Sequence, residues 1–150
     1  MDPNRIIQKL PYTKPFLFVD ELLEINENGL KGTFTFSKNL DFYKGHFKNS
    51  PVTPGVILTE CCAQIGVVSL GIYLLDNDTN VTSKNLRIGM SSSKMEFLLP
   101  VFPGEKVSVT SEILYFRFHK LKCAVKMHNA QGKLVCKGEI AGMIKSGENG

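Results

Sequence analysis

The chain has 150 residues, of which 43% are hydrophobic and 21% are charged. These values are typical of a single globular domain, here 1–150, that buries one substantial core, and they exclude a disordered chain, a collagen-like repeat and a low-complexity solenoid. The formal net charge of +4 is mild. It is spread along the chain without basic runs, so we do not expect nucleic acid as a partner.

The first residues predict a short helix and no export signal. In the segment 3–10, Ile6, Ile7 and Leu10 share one side, and Pro11 ends the helix because proline cannot continue the hydrogen-bond ladder. No apolar run follows a basic head, so we expect a cytoplasmic protein.

Two strands and a loop are predicted next. The segment 16–25, apolar apart from Asp20, Glu21 and Glu24, and the alternating residues of 31–38 both favour strands. The Asn and Gly residues of 26–29 favour a tight turn between them. From 39 to 54, glycine and proline are too dense for a regular element. We therefore expect a hairpin followed by an ordered loop.

The segment 56–75 predicts a long, enclosed helix. Length alone would allow it to span a membrane. Glu60 and Gln64 in its first half, and the lack of aromatic and basic anchors at its ends, argue against a span. A helix that is apolar on all sides must be enclosed in a soluble protein.

The residues after this helix predict about four more strands. Val107 and Val109 alternate with polar residues, and turn residues stand at 103–104 and 129–132. The connections are too short for parallel crossovers, so the fold class is α+β, with one antiparallel sheet wrapped around the helix. One sheet cannot cover every side of so apolar a helix, and we expect a second copy to complete a homodimer.

The residues at the start of the helix could bind a carbonyl oxygen. Thr53 is expected to cap the helix and Pro54 to occupy its first position. Gly55 would then present an unpaired N–H at the positive end of the helix dipole, with no side chain to block a ligand. A helix start built only for stability would use the same three residues.

Three side chains near the helix start are candidates for proton transfer. Gln64 lies four residues after Glu60 and shares its face, and a carboxyl in apolar surroundings tends to have a raised pKa. His46 lies in the adjacent loop, whereas His119 and His128 are predicted on solvated strand faces. A base at His46 and an acid at Glu60 suit removal of a proton beside a carbonyl with loss of a neighbouring hydroxyl. A glutamate that only reaches solvent or a backbone donor stays an alternative.

The four cysteines, Cys61, Cys62, Cys123 and Cys136, predict reduced structural thiols. Two are adjacent, and none are spaced two apart as a zinc site or a redox motif requires. We expect no metal.

The motif around these candidates resembles a known family. The stretches LPYTKPFLFVD, GHFKNSPVTPGVILTECCAQ and KMEFLLPVFPGE are similar to the 3-hydroxyacyl-[acyl carrier protein] dehydratases of fatty-acid synthesis. The core of the motif is Gly-His-Phe, then Pro-Gly, with a Glu 14 residues after the His. Over nearly the whole chain, the resemblance implies the hot-dog fold and a hydro-lyase that converts a 3-hydroxyacyl thioester to the trans-2-enoyl thioester without a cofactor.

The resemblance also implies roles for the site residues and a partner. His46 of one protomer would face Glu60 of the other across an acyl tunnel at the homodimer interface. His46 would take the α-proton, Glu60 would protonate the leaving hydroxyl, the Gly55 amide would polarise the carbonyl, and Gln64 would orient the carboxylate or its water. Acyl carrier protein would deliver the substrate, and assembly of dimers into a larger oligomer stays open.

Departures from the family pattern suggest a specialised relative, serving a polyene, aryl-lipid or other secondary pathway. Tyr12 stands where the family has a second histidine, Ser91 replaces an acidic residue, and Leu98 and Leu99 replace basic residues. Neither Tyr12 nor the leucine pair is expected to touch the acid and base. Other basic residues could meet an acidic carrier protein instead, namely Lys44, Lys48, Lys84, Arg87 and Lys94.

Two other functions stay open. The chain could be a hot-dog acyl thioesterase, in which the helix carboxylate activates water, but hydrolysis needs no base placed against an α-carbon, as His46 would be. It could also be a non-catalytic acyl-binding or heterodimer-partner subunit. The intact set of His46, Gly55 and Glu60 argues against that function.

Overall fold

A computed structural model describes residues 2–76 and 86–146. Within them are two helices, α1 (Pro3–Lys9) and α2 (Gly55–Asp76), and one 3₁₀ turn at Asp41–Lys44. The six strands of the same residues are β1 (Glu21–Asn26), β2 (Gly29–Thr35), β3 (Leu86–Phe97), β4 (Lys106–Arg117), β5 (Lys120–Asn129) and β6 (Leu134–Ser146).

The strands of the described residues form one antiparallel sheet in the order β1-β2-β4-β5-β6-β3. Asn26 pairs with Gly29, which confirms the predicted hairpin. β4 and β5 are joined by Phe118 and His119, whose φ angles of 53° and 62° are those of a tight two-residue hairpin turn. The prediction of a strand at His119 is therefore wrong, because no Gly, Asn or Asp marks this turn in the sequence.

Helix α2 lies directly against the sheet. A Cβ added at Gly66 would come within 2.9 Å of the Val125 side chain, so the helix approaches β5 more closely than a larger residue would allow. The helix meets the length and composition of a membrane span, but 72% of its most apolar window is buried inside the fold. The prediction of an enclosed core helix is confirmed.

The predicted first strand is partly wrong. Residues 16–20 are not part of β1, and two of their backbone groups bind the Gln64 side chain instead. The Phe18 N–H donates to Gln64 Oε1 at 2.8 Å, and Gln64 Nε2 donates to the Phe16 carbonyl at 2.9 Å. The second strand ends at Thr35 rather than at residue 38, although the Phe36 N–H still bonds to the Glu105 carbonyl.

The predicted N-terminal helix is confirmed and packs on the core. The Asp2 side chain accepts from the Asn4 N–H and caps α1. Ile6 is fully buried, and Lys9 forms a 2.9 Å ion pair with Asp76 at the end of α2. The helix thereby brings the segment that follows it, including Tyr12, onto the first half of α2.

Candidate active site

The loop before α2 positions His46. The 3₁₀ turn of Asp41–Lys44 leads into it, and the His46 N–H bonds to the Phe42 carbonyl at 3.1 Å. Its Nδ1 lies 3.0 Å from the Val52 carbonyl oxygen. A carbonyl can only accept, so Nδ1 carries the proton and Nε2 keeps its lone pair for a base. The Phe47 ring stacks on the imidazole with centroids 4.1 Å apart.

The start of α2 differs from the prediction in its cap. The Thr53 hydroxyl is hydrogen-bonded to the hydroxyl of buried Tyr43 and does not cap the helix, which begins at Gly55 after Pro54. The Ile57 and Leu58 N–H groups both donate to the Pro54 carbonyl. The Gly55 N–H precedes the first hydrogen bond of the helix, so the helix does not use it. A donor to an oxyanion has to meet this condition.

Gly55 also has no side chain to cover its amide. A Cβ at this position would lie 3.3 Å from the Phe97 ring, which is closer than most such contacts. The site is therefore narrow here, and glycine leaves the amide accessible.

Glu60 is held in place by Gln64. Gln64 Nε2 donates to Glu60 Oε2 at 2.9 Å, as expected for residues four apart on a helix. Gln64 is itself fully buried and fixed by its bonds to Phe16 and Phe18. The two side chains form the polar pair that their spacing predicts, and the role of Gln64 in orienting a catalytic carboxyl group stays a prediction.

Burial gives Glu60 the properties of an acid. Desolvation raises the pKa of Glu60 above its ordinary value, and the hydrogen bond from Gln64 opposes part of this rise. Because Gln64 binds Oε2, the other oxygen, Oε1, is left for a different partner. A carboxyl that keeps its proton to higher pH is suited to general-acid catalysis.

The structure adds Tyr12 to the site. Tyr12 and Glu60 line one cavity, and desolvation together with the charge of Glu60 raises the pKa of Tyr12 to about 12. The expectation that this departure from the family pattern does not touch the acid is therefore wrong. The sequence carried a signal in the departure itself, but it did not show that α1 places Tyr12 against α2.

His46 and Glu60 are not brought together within one copy of the described chain. They form neither a hydrogen bond nor an ion pair, and His46 is not among the residues that line the cavity beside Glu60. One copy thus presents the predicted base and the predicted acid in separate places.

A groove runs between the start of α2 and the edge strand β3. Its volume is about 590 Å³, and its lining residues are Gly55, Val56, Thr59, Met90, Ser93, Met95 and Phe97. Val56 is 76% exposed at this groove. β3 is an edge strand of the described sheet, and residues 89–94 are all exposed. A long exposed edge strand presents unpaired backbone groups and is commonly covered by another chain.

The cysteines fit the structural prediction. Cys61, Cys62, Cys123 and Cys136 are free and buried. Desolvation raises the pKa of Cys61 and brings that of Cys123 to about 12, so both remain thiols at neutral pH. Among the described residues, no three His, Cys, Asp or Glu side chains are grouped to hold a metal ion.

Sequence comparison gives one family and many similar proteins. The FabA-like domain matches residues 10–145 of the chain. The 3-hydroxyacyl-[acyl-carrier-protein] dehydratase FabZ of Caldicellulosiruptor saccharolyticus is 32% identical over 145 residues, covering 96% of this chain and 99% of that protein. The protein of the same name from Petrotoga mobilis is 37% identical over 123 residues, covering 81% and 83%.

Solved structures show the same fold. The dehydratase heterocomplex ApeI:P from Xenorhabdus doucetiae has a TM-score of 0.77 at 11% identity, covering 97% of this chain and 92% of that one. The E. coli PaaI protein from the phenylacetic acid degradation operon has a TM-score of 0.61 at 18% identity, covering 86% and 80%. The predicted α+β hot-dog architecture, an antiparallel sheet around one long helix, is confirmed.

Proposed function

The chain belongs to the FabA-like family, and we infer that it is a 3-hydroxyacyl-[acyl carrier protein] dehydratase, a hydro-lyase. Its substrate is a 3-hydroxyacyl thioester and its product is the trans-2-enoyl thioester. The observation that carries this function is the carboxyl of Glu60, half-buried with a raised pKa and held by Gln64 on the helix that Gly55 begins.

In the proposed reaction, His46 Nε2 removes the proton from the α-carbon. The electrons of that C–H bond form the Cα–Cβ double bond, and the Cβ–O bond breaks. Glu60 gives its proton to the departing hydroxyl, which leaves as water. The Gly55 N–H polarises the thioester carbonyl and stabilises the charge that develops on it. Positioned proton transfer typically contributes ~10²- to 10⁴-fold, and a single oxyanion donor ~10²- to 10³-fold.

We propose that a second copy of the chain completes the site. His46 and Glu60 do not meet within one copy, whereas the groove beside Gly55 and the exposed edge of β3 offer a surface for a partner. In a homodimer built on this surface, His46 of one protomer faces Glu60 of the other. Both sites then lie at the interface.

Acyl carrier protein is the proposed macromolecular partner. We expect the carrier protein to present an acidic surface, which basic side chains of this chain would bind. Four such side chains are exposed, those of Lys44, Lys48, Arg87 and Lys94. Lys84 lies outside the described residues. Leu98 and Leu99 are also exposed and are the proposed apolar part of the docking surface. The four buried thiols support a reducing, cytoplasmic location for the reaction.

The test is mass spectrometry of 3-hydroxyacyl thioesters on carrier protein, with acyl groups of several lengths and with aryl and polyene groups. Wild type should remove one water from at least one of them, and His46→Ala should not. His128→Ala, which changes a histidine on β5 away from the site, is the matched control and should act like wild type. Release of free acid would instead identify a thioesterase, and no reaction with any acyl group would indicate a non-catalytic subunit.

A further inference from the structure

A small cavity lies beside Glu60. Its volume is about 30 Å³. Tyr12 and Glu60 contribute the polar side chains of its lining, and the rest of the wall is made by Ala63, Val67, Val68, Ile88, Met90, Ile140, Ala141 and Gly142. The side chains that line the cavity are therefore apolar apart from these two.

The size and polarity of this cavity suit one water molecule. A water needs roughly 10–15 Å³ of such space and two to four polar partners. Gln64 binds Oε2 of Glu60, which leaves Oε1 as one partner. The Tyr12 hydroxyl supplies a second partner that both donates and accepts.

We propose that Tyr12 is a positioning residue for Glu60, acting through a water molecule that its hydroxyl and the carboxyl group hold between them in this cavity. The part of this role that concerns turnover rests on the proposed dehydratase function. The water and its effect on Glu60 do not rest on that function, since they depend only on the cavity and its two polar groups.

Tyr12 is suited to donate and unsuited to replace the acid. Desolvation and the charge of Glu60 raise the pKa of Tyr12 to about 12, so its hydroxyl keeps its proton at any working pH. Glu60 gives up its proton far more readily. The two groups therefore divide the work, with Glu60 as the proton donor and Tyr12 as the residue that fixes its orientation.

The proposal predicts the direction of a pH effect. Within the described part of the chain, Tyr12 and Cys61 are the titratable groups that respond to the charge of Glu60, and the side chains that β3 and β6 contribute to the cavity are apolar. The proposed homodimer adds His46 of the other protomer, which is present in wild type and in the variant alike. A donor to the ionised carboxylate stabilises it and lowers its pKa. Tyr12→Phe removes that donor, so the pKa of Glu60 should rise and the alkaline limb of kcat should move to higher pH.

Two measurements on Tyr12→Phe and wild type test the proposal. A high-resolution crystal structure of wild type should show a water bonded to both Tyr12 Oη and Glu60, absent from the variant. NMR titration of the Glu60 carboxyl carbon should show the higher pKa in the variant. Tyr115→Phe, which removes a hydroxyl from a residue on β4 stacked under Arg117, is the matched control and should change neither result.

Kinetics add the link to turnover. We expect kcat of Tyr12→Phe to fall about tenfold, roughly the loss of one hydrogen bond to a charged group, with KM unchanged because the ring remains. An unaltered titration of Glu60, or a wild-type cavity without this water, would overturn the proposal. Neither the crystal structure nor the NMR titration requires an active enzyme. Failure of the dehydratase assay would therefore refute the proposed function, while these two measurements would still decide whether the water bridge exists.

Discussion

Replacing Gln64 by leucine should weaken both the fold and the site. Gln64 is fully buried and makes three hydrogen bonds, from the Phe18 N–H, to the Phe16 carbonyl and to Glu60. Phe18 is itself buried, so its N–H would be left without a partner, whereas Phe16 and Glu60 are open enough to find water. An unsatisfied buried group costs about 1–3 kcal/mol and each of the other two bonds about 0.5–1.5 kcal/mol.

The expected loss in the free energy of unfolding is therefore about 2–6 kcal/mol. Urea denaturation followed by circular dichroism measures it at neutral pH. Gln131→Leu, in the exposed turn between β5 and β6, makes the same chemical change at the surface and should stay within about 0.5 kcal/mol of wild type. Equal stability of Gln64→Leu and wild type would show that Gln64 does not hold the segment of Phe16 and Phe18 as argued.

Three further predictions concern the acid, the shared site and the interface. Because the folded pKa of Glu60 is raised, the stability that its protonated form contributes is lost as pH rises through that value. Glu60→Gln should thus be inactive yet more stable than wild type in urea denaturation at neutral pH, with the difference vanishing in acid. Glu27→Gln makes the same change at an exposed turn residue and is the matched control. Mixing His46→Ala with Glu60→Gln should restore up to about one quarter of wild-type activity, if subunits exchange at random and each site takes one residue from each protomer. Native mass spectrometry shows whether the subunits exchange. If they exchange and activity does not recover, both residues belong to one protomer's site. Val56→Asp should yield monomers in analytical ultracentrifugation, whereas Leu23→Asp on β1 should not, and an intact Val56→Asp dimer would move the interface elsewhere.

The long helix and the first hairpin could be predicted because their signals are local. An unbroken apolar run requires an enclosed helix whatever surrounds it, and Asn26 and Gly29 mark a reversal by their own backbone preferences. The pairing of Glu60 with Gln64 follows in the same way from a spacing of four on one helix. In each case the deciding interaction lies within one turn or one hairpin.

The wrong predictions depend on contacts between residues far apart in sequence. Residues 16–20 have the composition of a strand, but the side chain of Gln64, 46 positions after Phe18, binds the backbone of Phe16 and Phe18. Thr53 has the chemistry of a cap, but its hydroxyl pairs with Tyr43. A sequence pattern gives the bonding capacity of a side chain, and the fold decides which partner uses it.

The same contacts explain why the proposed acid lies where it does. Helix α2 tolerates a polar group in its buried length only where a partner is available, as Ser69 shows by donating to the Gln64 carbonyl at 2.7 Å. Gln64 meets this condition through the 16–18 segment, and with one remaining N–H it binds one oxygen of Glu60. Glu60 is thereby the polar residue of the helix that is fixed through one oxygen while its other oxygen stays available. A group that is both fixed and available, with its pKa raised by burial, is what proton delivery requires, so the bonds that anchor the N-terminal segment to the core also prepare the acid.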